Sequence, residues 1–181
     1  MIVNKIKKNI SNFKKTDIDI SAWHKFIISD LFVVHLSRGD NKIKELEKGS
    51  VPLVSATSEN NGVVGFVKTG DGKSQLFDGK SITVDMFGKA FYHDVDFYSV
   101  SHGRVNILIP INDINKYHGL FIVTALKNLT EKYSFSGMCT SKKIEKEEIY
   151  LPCVINDNGN YEPNWDYMED YIKDIEKKLF T

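Results

Sequence analysis

The sequence predicts an α+β fold, mixed and β-rich, that ends in a helix. Three observations lead there. Between Val51 and Ile109, short runs of β-branched and aromatic residues alternate with polar ones and break at Asn61-Gly62, Gly88-Lys89 and His102-Gly103. That is the two-residue period, with turn residues, of paired strands. From Asp113 to about Lys132 the apolar positions change to helical spacing. A second helical period closes the chain after Asn164. With 181 residues, 41% apolar and 27% charged, the chain has enough material for one soluble domain with a real core.

The elements follow in order. Residues 1–20 are polar and carry Lys5, Lys7, Lys8, Lys14 and Lys15 with no apolar run behind them. They are a flexible basic lead-in and not a signal peptide. The globular body spans 21–160. Its first strand is Trp23-His-Lys-Phe-Ile-Ile-Ser-Asp-Leu-Phe, rich in aromatic and branched residues. Asn41 to Lys48 is a short helix ended by Gly49. Val51–Ala56 and Gly62–Lys68 are strands around the polar turn Thr57-Ser-Glu-Asn-Asn-Gly, where Asn61 and Gly62 both tolerate positive φ. After the loop Thr69-Gly-Asp-Gly-Lys-Ser, strands are expected near 75–77, 81–86, 90–93, 97–100 and 104–109. The helical stretch places Ile114, Tyr117, Phe121, Ile122, Ala125, Leu126, Leu129 and Tyr133 on one face, wide enough to be buried. Residues 133–144 form a polar loop, Ile149-Tyr-Leu a last short strand and Asp157-Asn-Gly-Asn a turn.

Residues 161–181 form the terminal helical segment. Asn164 is its cap, Asp166, Glu169 and Asp170 favour its positive end, and Lys177 and Lys178 its negative end. Trp165, Met168, Ile172, Ile175 and Leu179 are spaced 3-4-3-4, the seam of a coiled coil. A helix of about 24 Å is too short to stand alone, so this seam packs on its own domain or on a partner.

The formal net charge of zero conceals a division. Residues 1–143 hold 20 Lys/Arg against 14 Asp/Glu, a net +6, and residues 144–181 hold 4 against 10, a net −6. An acidic C-terminal piece masks a mildly basic body, which suits phosphate contact. Cys139 and Cys153 have no metal-ligand spacing and read as reduced thiols. No window is long and apolar enough for a bilayer. A cytoplasmic protein is expected.

Catalytic signatures are missing. Gly70-Asp-Gly-Lys-Ser ends like a phosphate-binding loop, but that pattern needs a glycine where Val67 stands. There is no N/D-P-P-Y/F tetrapeptide to hold a base for methylation and no glycine fingerprint for a methyl donor. Asp85, His93, Asp94 and Asp96 could in principle supply a metal-dependent nuclease, but a polar turn between strands accounts for them without further assumption. No enzyme activity, metal or cofactor is expected of this chain.

Three loops offer groups that read DNA. Arg or Lys pairs with guanine, Asn or Gln with adenine and carboxylates with cytosine, while hydroxyls and backbone amides hold phosphates. The first loop supplies Ser55, Thr57, Ser58, Glu59, Asn60 and Asn61. The second supplies Ser101, His102 and Arg104, with Lys89 on a neighbouring turn. The third supplies Ser136, Thr140, Ser141, Lys142 and Lys143. Each loop taken alone is also what a solvated connection looks like.

From Trp23 onward the chain resembles the target-recognition domains of specificity subunits from type I and related type IIB restriction–modification systems. The resemblance is carried by Trp23-x-x-Phe-x-Ile-x-Asp-Leu-Phe, Val51-Pro-Leu-Val-Ser-Ala-Thr, Ser81-Ile-Thr-Val and Leu126-Lys-Asn-Leu. Ile149-Tyr-Leu-Pro and Glu162-Pro-Asn-Trp-Asp-Tyr-Met follow in the same order. It implies that residues 21–160 bind double-stranded DNA by sequence and that 161–181 is a dimerisation or partner-binding helix. The implied partners are an adenine methyltransferase subunit, which would carry S-adenosylmethionine, and a restriction subunit. The chain departs from the family in holding one recognition domain and one short helix, which fits a half-subunit that dimerises to read a two-part site, and equally a truncated product or a recognition module serving one half-site. Two other readings stand beside it: a protein- or ligand-binding module of the same fold with no DNA role, and the small nuclease above.

Overall fold

The computed structural model describes residues 20–37, 41–100 and 105–180. Three sheets organise them: β1 (Trp23–Ile27), β10 (Glu148–Ile155) and β11 (Tyr161–Pro163); β2 (Phe32–Leu36), β9 (Val105–Pro110), β6 (Ser81–Asp85) and β7 (Ala90–His93); and β4 (Val63–Val67), β3 (Lys48–Val54), β8 (Phe97–Ser99) and β5 (Leu76–Phe77), each in that spatial order.

The expected first strand is two strands. β1 (Trp23–Ile27) gives way to one helical turn, α1 (Ile28–Leu31), and then β2 (Phe32–Leu36) begins. Ile28 and Leu31, three apart, are both buried, and the Ile28 and Ser29 amides donate to the Glu147 and Glu145 carbonyls at 2.9 and 3.1 Å. One turn of helix therefore lets an apolar run pass from one sheet to the next while its backbone stays paired.

The expected helix at Asn41–Lys48 is only a 3₁₀ turn at Ile43–Glu45, because β3 (Lys48–Val54) has already started. Gly49 is no helix stop. A Cβ there would lie 2.5 Å from the Lys68 backbone, so the glycine lets β3 and β4 (Val63–Val67) close around a register shift. Between them, Asn60, Asn61 and Gly62 all take positive φ, as the Asn-Gly pair predicts.

The remaining strands fall close to expectation: β5 (Leu76–Phe77), β6 (Ser81–Asp85), β7 (Ala90–His93), β8 (Phe97–Ser99) and β9 (Val105–Pro110). β6 is buried along its whole length, between antiparallel partners β7 and β9 and beneath the helices.

The Asp113–Lys132 helix is divided into α2 (Lys116–Ala125), a 3₁₀ turn at Leu126–Asn128 and α3 (Leu129–Lys132). Asn115 caps α2 by accepting from the Tyr117 and His118 amides, and His118 Nδ1 accepts the Asn115 amide in return. Of the predicted apolar face, Ile114, Phe121, Ile122, Leu126, Leu129 and Tyr133 are buried, while Tyr117 and Ala125 are half-buried. Within the expected loop 133–144, Ser141–Ile144 forms a helical turn, α4, anchored by Ile144 in the core. β10 (Glu148–Ile155) is longer than the predicted strand and pairs with both β1 and β11 (Tyr161–Pro163).

α5 (Trp165–Phe180) starts where the sequence places it, with Asn164 Oδ1 accepting the Tyr167 amide at 3.1 Å. It packs on α2 of its own chain. The Phe121 and Tyr171 rings meet at 5.7 Å, those of His118 and Trp165 at 5.2 Å, and Asn115 Nδ2 donates to Glu169 Oε2 at 2.6 Å. This corrects one expected interface contact: Met168 has no exposed surface, so it belongs to the core and cannot face a partner. Trp165 and Ile172 also pack against that core.

Candidate nucleic-acid interface

Packing brings parts of the predicted DNA-reading loops to one cleft. A recess of about 530 Å³ is lined by Ala56, Thr57 and Ser58 from the β3–β4 loop, by Asp85, Phe87 and Lys89 around the β6–β7 turn, and by Thr130 and Tyr133. Two loops far apart in sequence thus share one site with the helical hinge that precedes the third loop.

Local chemistry fixes each wall. In the β6–β7 turn, Asp85 Oδ1 accepts the Phe87 and Lys89 amides at 2.8 and 2.9 Å. Burial pushes the Asp85 carboxyl above its usual range against the pull of those amides. Gly88, at φ +81°, allows the turn to press onto α3: a Cβ there would come 2.4 Å from the Leu129 carbonyl oxygen. Lys89 projects its ammonium 5.9 Å from the Phe91 ring.

The 133–140 wall is held by buried polar groups. Tyr133 donates its hydroxyl to Glu147, which also pairs with Lys132 at 2.7 Å. Burial and this carboxylate raise the Tyr133 hydroxyl's pKa. The Cys139 amide donates to the Met86 carbonyl at 2.8 Å, and Asn106 Nδ2 donates to the carbonyls of Val84 and Cys139. Cys139 itself is buried, its thiol pushed up to about 12, so it is a packing residue rather than a nucleophile.

The other predicted residues spread out. Glu59, Asn60 and Asn61 are exposed at the tip of the β3–β4 loop, and Ser55 is half-buried, its amide donating to the Gly62 carbonyl. Ser136 is exposed, its hydroxyl 3.0 Å from that of Ser134. Thr140 and Lys142 are exposed as well. Lys143 turns back, donating to the Met138 carbonyl at 2.9 Å, with its cation 5.7 Å from the Tyr133 ring. Ser141 lines a different groove, with His35, Gln75 and Glu145. Ser101, His102 and Arg104 lie outside the described residues.

Sequence reasoning placed Tyr133 at the start of the third loop but missed Phe87 and Thr130 as wall residues. The clue was available for Phe87, which adjoins Gly88-Lys89. Thr130 lies in α3 and Tyr133 just after it, beyond the break at Leu126.

The carboxylates considered for a nuclease do not converge. His93 is buried against Thr83, Asp96 accepts the Gly79 amide, and Asp94 accepts the Tyr92 hydroxyl. Among the described residues no group of three or more metal-ligating side chains assembles, and no helix is long and apolar enough to cross a membrane.

Comparison with known families gives the cleft a context. Residues 20–180 match the model of the type I restriction modification DNA specificity domain. The chain belongs to that family. This specificity domain is 33% identical over 162 residues to specificity subunit S.BcgI of a type II restriction enzyme from Heyndrickxia coagulans, covering 87% of this chain and 45% of that one.

Its fold matches the S subunit of a type I system from M. genitalium with TM-score 0.57 at 15% identity, over 99% of this chain and 53% of the other. It matches the HsdS subunit of Thermoanaerobacter tengcongensis with TM-score 0.54 at 11% identity, over 98% and 43%. A structure described as showing complex assembly and conformational transition of a type I system aligns with TM-score 0.60 at 10% identity, over 98% and 44%. The specificity domain spans about half the length of these relatives.

Proposed function

We propose that the chain reads half of a double-stranded DNA site and directs an adenine methyltransferase subunit, with or without a restriction subunit, to it. The observation that carries this reading is the convergence of Thr57, Ser58 and Lys89 on one cleft, in a chain of the DNA specificity-domain family. Lys89 holds a phosphate there, the hydroxyls fix the backbone, and Glu59, Asn60 and Asn61 at the adjacent tip contact base edges. Ser101, His102 and Arg104, together with Ser136, Thr140, Lys142 and Lys143, supply further contacts. Residues 1–20 lead into the body, and catalysis belongs to the partner, which also holds the methyl donor.

The helix supplies the assembly surface. With Met168 committed to the core, the half-buried flank around Ile175 and Leu179 is where a second copy docks, and two copies then read a two-part site.

Binding of the full chain to randomised duplex DNA, followed by sequencing of what is retained, tests the first half of this reading. A shared short motif is expected. Lys89→Ala should weaken binding on every sequence alike and lower the salt slope by about 1. An unchanged slope and affinity would remove the cleft from the interface. Capture of an adenine methyltransferase from the native host by the tagged chain tests the second half, and recovery of none would sink it.

A further inference from the structure

The loop between α3 and α4 carries a side chain that the packing leaves out. Phe135 is 81% exposed, more than any other large apolar residue among those described. It sits at the tip of a tight turn in which Ser134 bridges to Gly137 and the Gly137 amide donates to the Ser134 carbonyl at 3.1 Å. Its ring stands edge-on to Phe87, centroids 4.8 Å apart, and Phe87 is a wall of the cleft. Beyond the turn, the chain is pinned by the bonds from Cys139 to Met86 and from Asn106 to Cys139. The ring is therefore presented from a fastened support at the rim of a polar recess.

Such a ring cannot serve the phosphate backbone, which calls for cations and hydrogen-bond donors. The apolar features of duplex DNA lie on its bases, and the one exposed at a groove edge is the 5-methyl group of thymine. The lateral contact with Phe87 holds the Phe135 ring up beside the cleft, where it meets a base edge as Lys89 meets the backbone. We propose that Phe135 is a specificity-determining residue that recognises one thymine by packing on its methyl group. This rests on the cleft being the DNA interface.

The test uses the full chain, with any subunit that copurifies from its host, and duplexes selected from a randomised pool. Wild type is expected to return a motif containing at least one invariant thymine, and Phe135→Ala the same motif with that position relaxed. Replacing that thymine by uracil, which removes only the methyl, should weaken wild-type binding by roughly three- to tenfold, as burial of a single methyl implies. The same replacement should leave Phe135→Ala unaffected, and the salt slope should not differ between the two proteins. Because the ring is on the surface, the variant is expected to melt as wild type does.

An identical motif from the variant, or a relaxed position insensitive to uracil, overturns the assignment while leaving the DNA reading intact. A change in salt slope overturns it in favour of a backbone role. If wild type returns no motif, the assignment and the reading beneath it fail together.

Discussion

At the scale of single residues, burial decides what the ionisable groups do. His93 lies 7% exposed between the Thr83 hydroxyl, 2.9 Å from its Nε2, and the Phe97 ring. Desolvation lowers its pKa from 6.5 to about 4, so the folded ring is neutral in a pH range where the unfolded one binds a proton. The unfolded state then holds more protons between those two values, and stability rises with pH across the window. His93's contribution is complete above pH 6.5 and is lost as pH falls toward 4, roughly 2 kcal/mol of it by pH 5. His93→Gln is expected to flatten the fall in melting temperature between pH 7 and 5; an equally steep fall would assign the acid sensitivity elsewhere. Gly88 gives a steric counterpart. Its positive φ and its closeness to the Leu129 carbonyl predict that Gly88→Ala costs about 1–3 kcal/mol in denaturant unfolding. It should also weaken DNA binding, because the turn carrying Lys89 must back away from α3.

At the scale of elements, the terminal helix shows how far a pattern of residues can be trusted. Its cap, its charge asymmetry and its apolar spacing were all legible, since each depends on neighbours within a few positions. What the seam packs on was not legible, because a 3-4 spacing describes one helix and says nothing of the surface it meets. The structure divides the seam: Met168 is fully buried against the domain, while Ile175 lines a shallow apolar recess with Trp23, Phe121 and Tyr171. Met168→Ala should therefore cost about 2–5 kcal/mol of fold stability, measured by chemical denaturation. A loss confined to self-association would return Met168 to an interface. The same contrast explains the other elements. Strands β5 to β9 were found from their alternation and turns. The 3₁₀ turn at Ile43–Glu45 was misread as a helix because Gly49 resembles a stop and the strand that needs that glycine pairs with residues nearly twenty positions away. The cleft was half visible: its donors were chosen by chemical type, but Thr57 and Lys89 share it through the packing of the β3–β4 loop on β7, a strand of a different sheet.

At the scale of the whole molecule, the distribution of charge bears on the proposed assembly. The net charge of zero would disfavour a polyanion if it were spread evenly, yet residues 1–143 carry +6 and residues 144–181 carry −6. The acidic segment 144–181, in which the helix itself carries −2, is repelled by DNA and is best turned away from it, which leaves the helix for protein contact. Under the proposed function, a second copy joined through α5 supplies a second reading surface. A twofold pair of identical clefts imposes its symmetry on the target. Selected duplexes are accordingly expected to contain one short motif twice in inverted orientation, and the free protein should sediment as a dimer. Ile175→Glu combined with Leu179→Glu places charge on the half-buried end of the seam, away from Met168. This variant should melt cooperatively, sediment as a monomer and retain single half-sites with at least tenfold weaker binding. A wild-type monomer that selects one unrepeated motif would instead make the chain a self-sufficient reader and leave α5 to a different subunit.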